Sequence, residues 1–367
     1  MKRIFIIVAF ALFLSGSVAT AEELIIEASG EYVMDSRLDE TPASATARAR
    51  EEAKRAAVER AGVYVYTYSK TIDFELDEDI VQTVAARLLK IQSESSDVEV
   101  VEKNLLKFIV TIKALVDELN EADLKSMTKD RQALEMLTRQ NLELQEKYDA
   151  LNKQMKRYRD EFDNADAAQK VEIKKAVALN AEKFAAVDEV IKGNDFAAKK
   201  NFSQAMTAYD TAIRLDAQFA EAYNNRGIVK YELGQFSAAI EDYTLAVHIK
   251  PNYADALNNR GNAYANIEQF KNAERDLLAA LKLNDKSAAA HNNLGSVYLS
   301  QKKFDDALKE YSRAIQIYPK YAEAYYNRAI AYYANGNLIN ALLDLKQALK
   351  LQPDDDAIKN FYEKINR

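Results

Sequence analysis

The C-terminal half of the chain repeats one pattern every 34 residues, and this period constrains the fold more than any other feature. Glycine or alanine stands at the eighth position of each repeat, and alanine at the twentieth and twenty-seventh. Large apolar residues hold most of positions 11, 17 and 24. This spacing predicts two amphipathic helices per repeat, and because such a pair cannot bury its apolar faces alone, the repeats must stack into a solenoid. The five repeats begin, without insertion or deletion, at Ala186, Ala220, Ala254, Ala288 and Ala322.

The columns of this pattern, over residues 186–355, resemble the tetratricopeptide repeat (TPR). The resemblance implies pairs of antiparallel helices and a groove, lined by the first helix of each pair, that binds peptide segments. Residues 356–367 are predicted to form a capping helix. The family places a turn glycine at position 15, where this chain carries Lys200, Glu268 and Lys302 in three repeats.

Asparagine dominates the positions that are predicted to face the groove. If positions 4, 7, 8 and 11 pack inward, then positions 2, 6, 9 and 13 point to the groove, and position 5 adds three further asparagines. An asparagine amide both donates and accepts hydrogen bonds, so a row of them could bind the backbone of an extended peptide. The alternative is that asparagine is simply a common solvated residue at these positions. The predicted peptide-binding residues are Asn194, Asn224, Asn225, Asn258, Asn259, Asn262, Asn292, Asn293, Asn327, Glu221, Asp255 and Glu323.

The charges around the predicted groove restrict its ligand. No lysine or arginine occupies positions 2, 5, 6, 9 or 13, which argues against a clamp for acidic tails and favours a neutral or basic ligand. Arg226, Arg260 and Arg328 stand at position 7, where we predict structural pairing with neighbouring acids. His291 occupies an inward position, where we predict a packing role.

The connector, residues 119–185, is rich in good helix formers and has neither proline nor glycine from residue 124 onward. Apolar residues alternate there at spacings of three and four, which predicts a coiled coil over about 127–165 and hence a homo-oligomer. The alternative is a helix folded back on its own chain. The predicted seam consists of Leu134, Leu137, Asn141, Leu144, Tyr148, Leu151, Met155, Tyr158 and Phe162.

Residues 1–21 have the three parts of a secretory signal peptide. Lys2 and Arg3 precede an apolar run, Ile4 to Leu14, and a small-residue cleavage site ends at Ala21. The apolar run is too short to span a bilayer, which needs about 20 residues. We therefore expect export to the periplasm or the outer face of a bacterial envelope, with no membrane span after cleavage. The alternative is an uncleaved anchor.

The pattern of apolar and polar residues over 22–118 predicts a small α+β domain. Leu24 to Met34 reads as a strand, a helix begins near Pro42, and Asp79 to Leu89 reads as a second helix. Val98 to Val101 and Leu105 to Val116 read as further strands, the last apolar enough for a central position. The helices are expected on one face of an antiparallel sheet.

This domain is similar to the N-terminal domain of the flagellar T-ring protein FlgT and related envelope lipoproteins. The similarity lies in the segments 27–32, 47–57, 59–65 and 108–113. It implies an envelope-associated docking domain.

Composition excludes several classes of function. The chain has no cysteine and only two histidines, which rules out disulfides and thiolate chemistry and leaves little for a histidine-built centre. Its net charge of −7 argues against nucleic acid as a main partner. The acidic run Asp73 to Asp79 lacks the spacing of an EF-hand loop. No nucleotide-binding, zinc-protease or serine-hydrolase motif is present, so we expect neither an enzyme nor a cofactor.

Together these features predict a mainly α-helical, exported interaction scaffold. The N-terminal domain would dock to an envelope partner, the coiled coil would multimerise, and the TPR groove would hold an extended segment of another protein. One alternative is a structural or ring subunit of an envelope or flagellar assembly. A second is an enzyme with unrecognised carboxylate chemistry.

Overall fold

A computed structural model describes residues 24–71, 76, 78–117, 119 and 131–366. The predicted signal peptide lies outside these residues, as does most of the acidic run. The chain divides into two compact units, Met1–Thr138 and Arg139–Arg367. Within the described ranges, no helix is both long enough and apolar enough to cross a membrane.

The first unit is a three-stranded antiparallel sheet in the order β1-β3-β2, packed against helices. The apolar strand β3 is central, as its sequence predicts, and pairs with both neighbours along its whole length. The fold class of this unit is confirmed. Its elements are β1 (Leu24–Asp35), α1 (Pro42–Thr71), α2 (Glu78–Leu88), β2 (Leu89–Glu102) and β3 (Leu105–Val116).

Alanines hold helix α1 close to the sheet. Five of them recur every four residues on one face of the helix, and all are fully buried. Because alanine has only a methyl group, the helix backbone approaches β1 closely at Gly30, where an added Cβ would lie 2.2 Å from the carbonyl oxygen of Ala49. The five alanines are Ala45, Ala49, Ala53, Ala57 and Ala61.

The second unit contains a TPR solenoid of five helix pairs and a capping helix, as predicted. Two long helices begin it, α3 (Arg131–Asn164), which starts in the first unit, and α4 (Ala167–Ala198). The C-terminal part of α4 is the first helix of repeat one, so the predicted boundary at Ala186 falls inside a continuous helix. The remaining helices are α5 (Phe202–Leu215), α6 (Ala220–Glu232), α7 (Phe236–Ile249), α8 (Ala254–Asn266), α9 (Phe270–Leu283), α10 (Ala288–Ser300), α11 (Phe304–Ile317), α12 (Ala322–Ala334), α13 (Leu338–Leu351) and α14 (Asp356–Ile365).

The repeat columns form the core. In repeats one, two and four the tyrosine ring at position 24 packs onto the glycine at position 8, so that a Cβ at Gly295 would lie 2.8 Å from the ring of Tyr311. The alanines at positions 20 and 27 are buried in every repeat. At the C-terminal end, α14 buries Ile358 and Ile365, and the Phe361 ring meets that of Tyr333 edge-on with centroids 5.6 Å apart.

In the turn between the two helices of each repeat, the residue at position 15 adopts the left-handed backbone conformation, whether or not it is glycine. Gly234 and Gly336 have φ of 74° and 79°, and the lysines and glutamate at the same position have φ of 58–60°. A side chain in this region costs about 1 kcal/mol because Cβ crowds the following carbonyl. The non-glycine residues are Lys200, Glu268 and Lys302.

Replacing Lys302 with glycine should therefore stabilise the solenoid by up to about 1 kcal/mol, since glycine adopts this conformation freely. Chemical denaturation of the protein measures the change. The reciprocal variant, Gly234→Lys, should lose a similar amount. Equal stability of both variants and the parent would show that the turn carries no strain.

Candidate functional site

The asparagine row links consecutive repeats. The Nδ2 of the position-6 asparagine donates to the Oδ1 of the position-5 asparagine in the preceding repeat, and this bond occurs three times. The distances are 3.1 Å for Asn259 to Asn224, 3.0 Å for Asn293 to Asn258 and 3.1 Å for Asn327 to Asn292. The row therefore forms a hydrogen-bonded seam between the first helices of repeats two to five.

The other predicted groove asparagines also have partners within the solenoid. Asn225 donates to Asn194 at 2.8 Å, Asn292 donates to Glu323 at 3.2 Å, and Asn262 donates to the Tyr231 hydroxyl at 2.9 Å. Asn224, Asn225 and Asn292 are buried. These residues are thus more ordered than solvated surface asparagines, although each amide keeps a second N–H. Binding of a peptide backbone by this row stays a prediction.

Truncation of Asn292 to alanine should cost about 1–3 kcal/mol of unfolding free energy, because it removes a buried amide and leaves the half-buried Asn327 amide without its acceptor. Thermal or denaturant unfolding measures the loss. Asn266→Ala is the matched control, since that side chain is exposed and water can replace its bond to Tyr231. Similar losses in both variants would contradict a structural role for the row.

The position-7 arginines pair with buried aspartates sixteen residues later, which confirms the predicted structural role. Each guanidinium binds both carboxylate oxygens of its partner on the second helix of the same repeat. The hydrogen bonds that Arg226 donates to Asp242 raise the pKa of Arg226. The distances are 2.9 and 2.6 Å for Arg226–Asp242, 2.5 and 3.1 Å for Arg260–Asp276, and 2.7 and 2.8 Å for Arg328–Asp344.

Repeat four replaces this pair with a different one. Leu294 stands where the arginine would be, and the position-23 acid, Glu310, lies 2.6 Å from Nδ1 of His291. The other ring nitrogen lies 3.2 Å from the carbonyl oxygen of Asp285. His291 is therefore a hydrogen-bonded link between the two helices of its repeat as well as a packing residue. The acid at position 23 was the available sequence signal for this pair.

Helix α3 lies against the groove positions of repeats two and three. Its Arg139 Nη1 is 2.6 Å from an oxygen of Asp255, and Gln140 Nε2 donates to Oδ1 of Asn225 at 3.0 Å. Asp255 and Asn225 occupy positions 2 and 6, which the sequence assigned to a peptide ligand. The structure thus brings part of the predicted site together around a segment of its own chain.

Further along α3, its charged side chains form ion pairs with charged residues of repeat two. Lys147 Nζ lies 3.4 Å from Glu221 and 3.6 Å from the centre of the Phe219 ring. Lys250 lies 3.3 Å from both Glu221 and Glu143. Burial opposes the charge on Glu221, but Lys147, a backbone hydrogen bond and Lys250 outweigh it and lower the pKa of Glu221. Burial raises the pKa of Glu143 despite the nearby Lys250.

The opposite side of α3 packs against α4. The rings of Tyr148 and Phe184 meet edge-on at 4.9 Å, and Asn180 donates to the carbonyl oxygen of Leu151 at 3.2 Å. A capping box at Asp166 starts α4 directly after the turn. The two helices form a hairpin, which is the arrangement that the folded-back alternative predicts.

The predicted coiled-coil seam is accordingly filled by one chain. Leu144, Tyr148, Leu151, Met155 and Phe162 are buried, and Tyr158 is half-buried. Asn141 is exposed rather than placed in a seam, and the side chains of Leu134 and Leu137 lie outside the described residues. Because the hairpin already buries this stripe, association of chains through it would require the hairpin to open. Self-association stays a prediction.

Sequence reasoning missed the side of α3 that faces the repeats. Gln140 and Lys147 are seven residues apart and adjoin the apolar stripe, with Glu143 between them on the same face of the helix. Only the acidic residues at position 2 of repeats two and three hinted that a basic helix could lie there.

Comparisons with known proteins agree with this architecture. Models described as TPR repeat or tetratricopeptide repeat match residues 193–234, 229–268, 254–287, 295–336 and 322–355. The chain therefore carries tetratricopeptide repeats across most of its C-terminal half. The matches all lie after residue 192, so the resemblance of the N-terminal domain to FlgT stays a prediction. No curated protein matches the chain.

Several solved structures are similar to the solenoid. The crystal structure of MamA is 27% identical, with a TM-score of 0.41, covering 46% of this chain and 92% of MamA. YrrB, a TPR protein with an unusual peptide-binding site, is 26% identical with a TM-score of 0.41, covering 52% and 96%. A thermophilic TPR protein of Thermus thermophilus is 22% identical with a TM-score of 0.44, covering 49% and 98%.

Proposed function

We propose that this protein is a protein–protein interaction scaffold whose solenoid groove binds a segment of a partner protein. The observation that supports it is the contact between groove positions 2 and 6 and helix α3. There a polypeptide segment meets Asp255, Asn225 and Glu221 through an ion pair, an amide hydrogen bond and a lysine. A surface that accommodates one segment by such contacts has the chemistry to recognise another.

The charge of the groove favours a neutral or basic ligand. Position 2 is acidic in repeats two, three and five, and in repeat five Glu323 is exposed while Glu221 and Asp255 contact α3. The contacts with α3 involve a helix, so a helical ligand suits this surface better than the extended peptide that the asparagine row predicts. We propose no catalytic role, because the proposed surface binds its ligand through hydrogen bonds and charge alone.

Site-specific photo-crosslinking tests the groove. A photoreactive amino acid at Ile330, position 9 of repeat five, should crosslink a partner in cell extracts. The same group at Ile339, which is 75% exposed on the second helix of that repeat, is the control and should not. Crosslinks to the same partner from Ile339 alone would place recognition on the outer face and contradict the proposal.

We further propose that the protein is exported, on the basis of residues 1–21, and that the N-terminal domain docks to an envelope partner. Edge strand β2 supports docking: nearly its whole length is exposed, including Val98, Val100 and Val101. Exposed edges pair readily with a further strand. Fractionation of cells that produce the chain with and without residues 1–21 tests export. Recovery of both forms in the same cell fraction would contradict it.

A further inference from the structure

We propose that helix α3 is a resident occupant of the groove and that the partner is an amphipathic, basic helix that takes its place. The inference rests on the proposed function and specifies its ligand. The partner would carry a positive charge where α3 has Arg139, an amide where it has Gln140 and a second positive charge where it has Lys147.

The contacts of α3 with the repeats resemble those of a ligand more than those of a core. Arg139, Gln140, Glu143 and Lys147 make polar or charged contacts with the repeats, Lys147 also lies over the buried Phe219 ring, and the Arg139–Asp255 pair is partly exposed. Partly exposed ion pairs contribute little and weaken in salt. On its other side, α3 packs the Tyr148 ring against Phe184 of α4.

The spacing on α3 defines the ligand. Gln140, Glu143 and Lys147 are three and four residues apart and share one helix face, with Arg139 at its edge. Opposite them stand acids at position 2 of successive repeats, Glu221 and Asp255. Lys250 lies between Glu221 and Glu143. A competing helix therefore needs positive charges opposite Glu221 and Asp255, and a negative charge opposite Lys250.

The C-terminal part of the groove offers the partner a first contact. Among the described residues, the polar contacts of α3 with the repeats extend no further than Asp255 in repeat three. Repeat five presents Glu323 at the equivalent position, exposed and acidic. A basic helix can bind there and then compete for the places of Lys147 and Arg139. Because α3 is tethered, its effective concentration is on the order of millimolar, and the partner must overcome it.

Charge reversal on α3 tests whether these contacts hold it. Hydrogen–deuterium exchange of residues 139–155 in the full protein should accelerate at least tenfold in the double variant Arg139→Glu, Lys147→Glu. The control, Lys153→Glu with Lys156→Glu, changes the same net charge at exposed positions of α3 and should leave exchange unchanged. Adding Asp255→Arg and Glu221→Lys to the first variant should restore slow exchange.

A peptide tests whether the vacated surface accepts a basic helix. A fluorescent peptide with the sequence of residues 137–157 should bind the Arg139→Glu, Lys147→Glu protein at least tenfold more tightly than the unaltered protein, as measured by anisotropy. The same peptide carrying both reversals should not bind. Equal affinity for both proteins, or exchange that is unchanged by charge reversal, would overturn the proposal.

The two proposals fail separately. If α3 opens and the peptide does not bind, α3 is no model of the ligand, and this inference is wrong. The photo-crosslink from Ile330 is then still decisive for the groove, since that position belongs to repeat five and its outcome does not depend on α3.

Discussion

Replacement of Asp242 by alanine should lower the free energy of unfolding by about 3–5 kcal/mol. The carboxylate is 3% exposed and binds Arg226 through both oxygens and Lys230 at 2.7 Å. Removing it leaves two cations in a half-buried position with their main counter-charge missing, and breaking a buried pair on one side is strongly destabilising. Denaturant unfolding monitored by helical circular dichroism measures the change.

The chain supplies a matched control for this experiment. Asp210 binds the same guanidinium at 2.6 Å but is 56% exposed, so Asp210→Ala should cost no more than about 1 kcal/mol. A double replacement, Arg226→Leu with Asp242→Leu, should recover most of the loss, as Leu294 at the same position of repeat four suggests. A loss from Asp242→Ala no larger than that from Asp210→Ala would contradict the buried-pair account.

Replacement of Gly30 by alanine should destabilise the first unit by about 3 kcal/mol or more. The new methyl group would lie 2.2 Å from backbone atoms of Ala49 and Ala53, and backbone cannot move aside as a side-chain end can. Strand β1 and helix α1 would have to separate. Hydrogen–deuterium exchange should accelerate over residues 24–116, while helices α5 to α13 keep their protection.

Gly62→Ala controls for the general effect of adding a methyl group to this unit. A Cβ at Gly62 meets the side-chain amide of Gln82, which can rotate away, and the position lies within α1. Alanine in a helix gains about 0.5–1 kcal/mol over glycine, so this variant should be neutral or slightly stabilised. If Gly30→Ala proved equally benign, the close approach of α1 to β1 would be disproved.

Much of the fold could be predicted from local pattern. The helices of the repeats follow from a period that fixes which residues face each other. Every second residue of β3 from Leu106 to Val116 is apolar, which makes the strand apolar enough for a central position. Strand β2 was predicted over only Val98 to Val101, although it runs from Leu89 to Glu102. Most side chains of β2 are exposed, so its sequence lacks the alternation of apolar and polar residues that predicts a strand. Pairing with β3 sets the full length of β2.

The sequence predicted where the residues of the candidate site lie, but not which hydrogen bonds they make. Position numbering located Glu221, Asn225 and Asp255 on the groove side because helix geometry sets which residues share a face. That the asparagines would bond to one another across repeats depends on the distance between neighbouring first helices, which no single repeat encodes.

The sequence by itself determined the solenoid and its five repeats, although not the left-handed turn at position 15, which even Lys200 adopts. These features are local, because each repeat needs only its neighbour to bury its apolar face. The tertiary structure alone decided what the connector packs against. A heptad stripe is equally satisfied by a second chain or by a helix of the same chain. Here α4 buries the stripe, and the polar side of α3 thereby comes to lie on the groove.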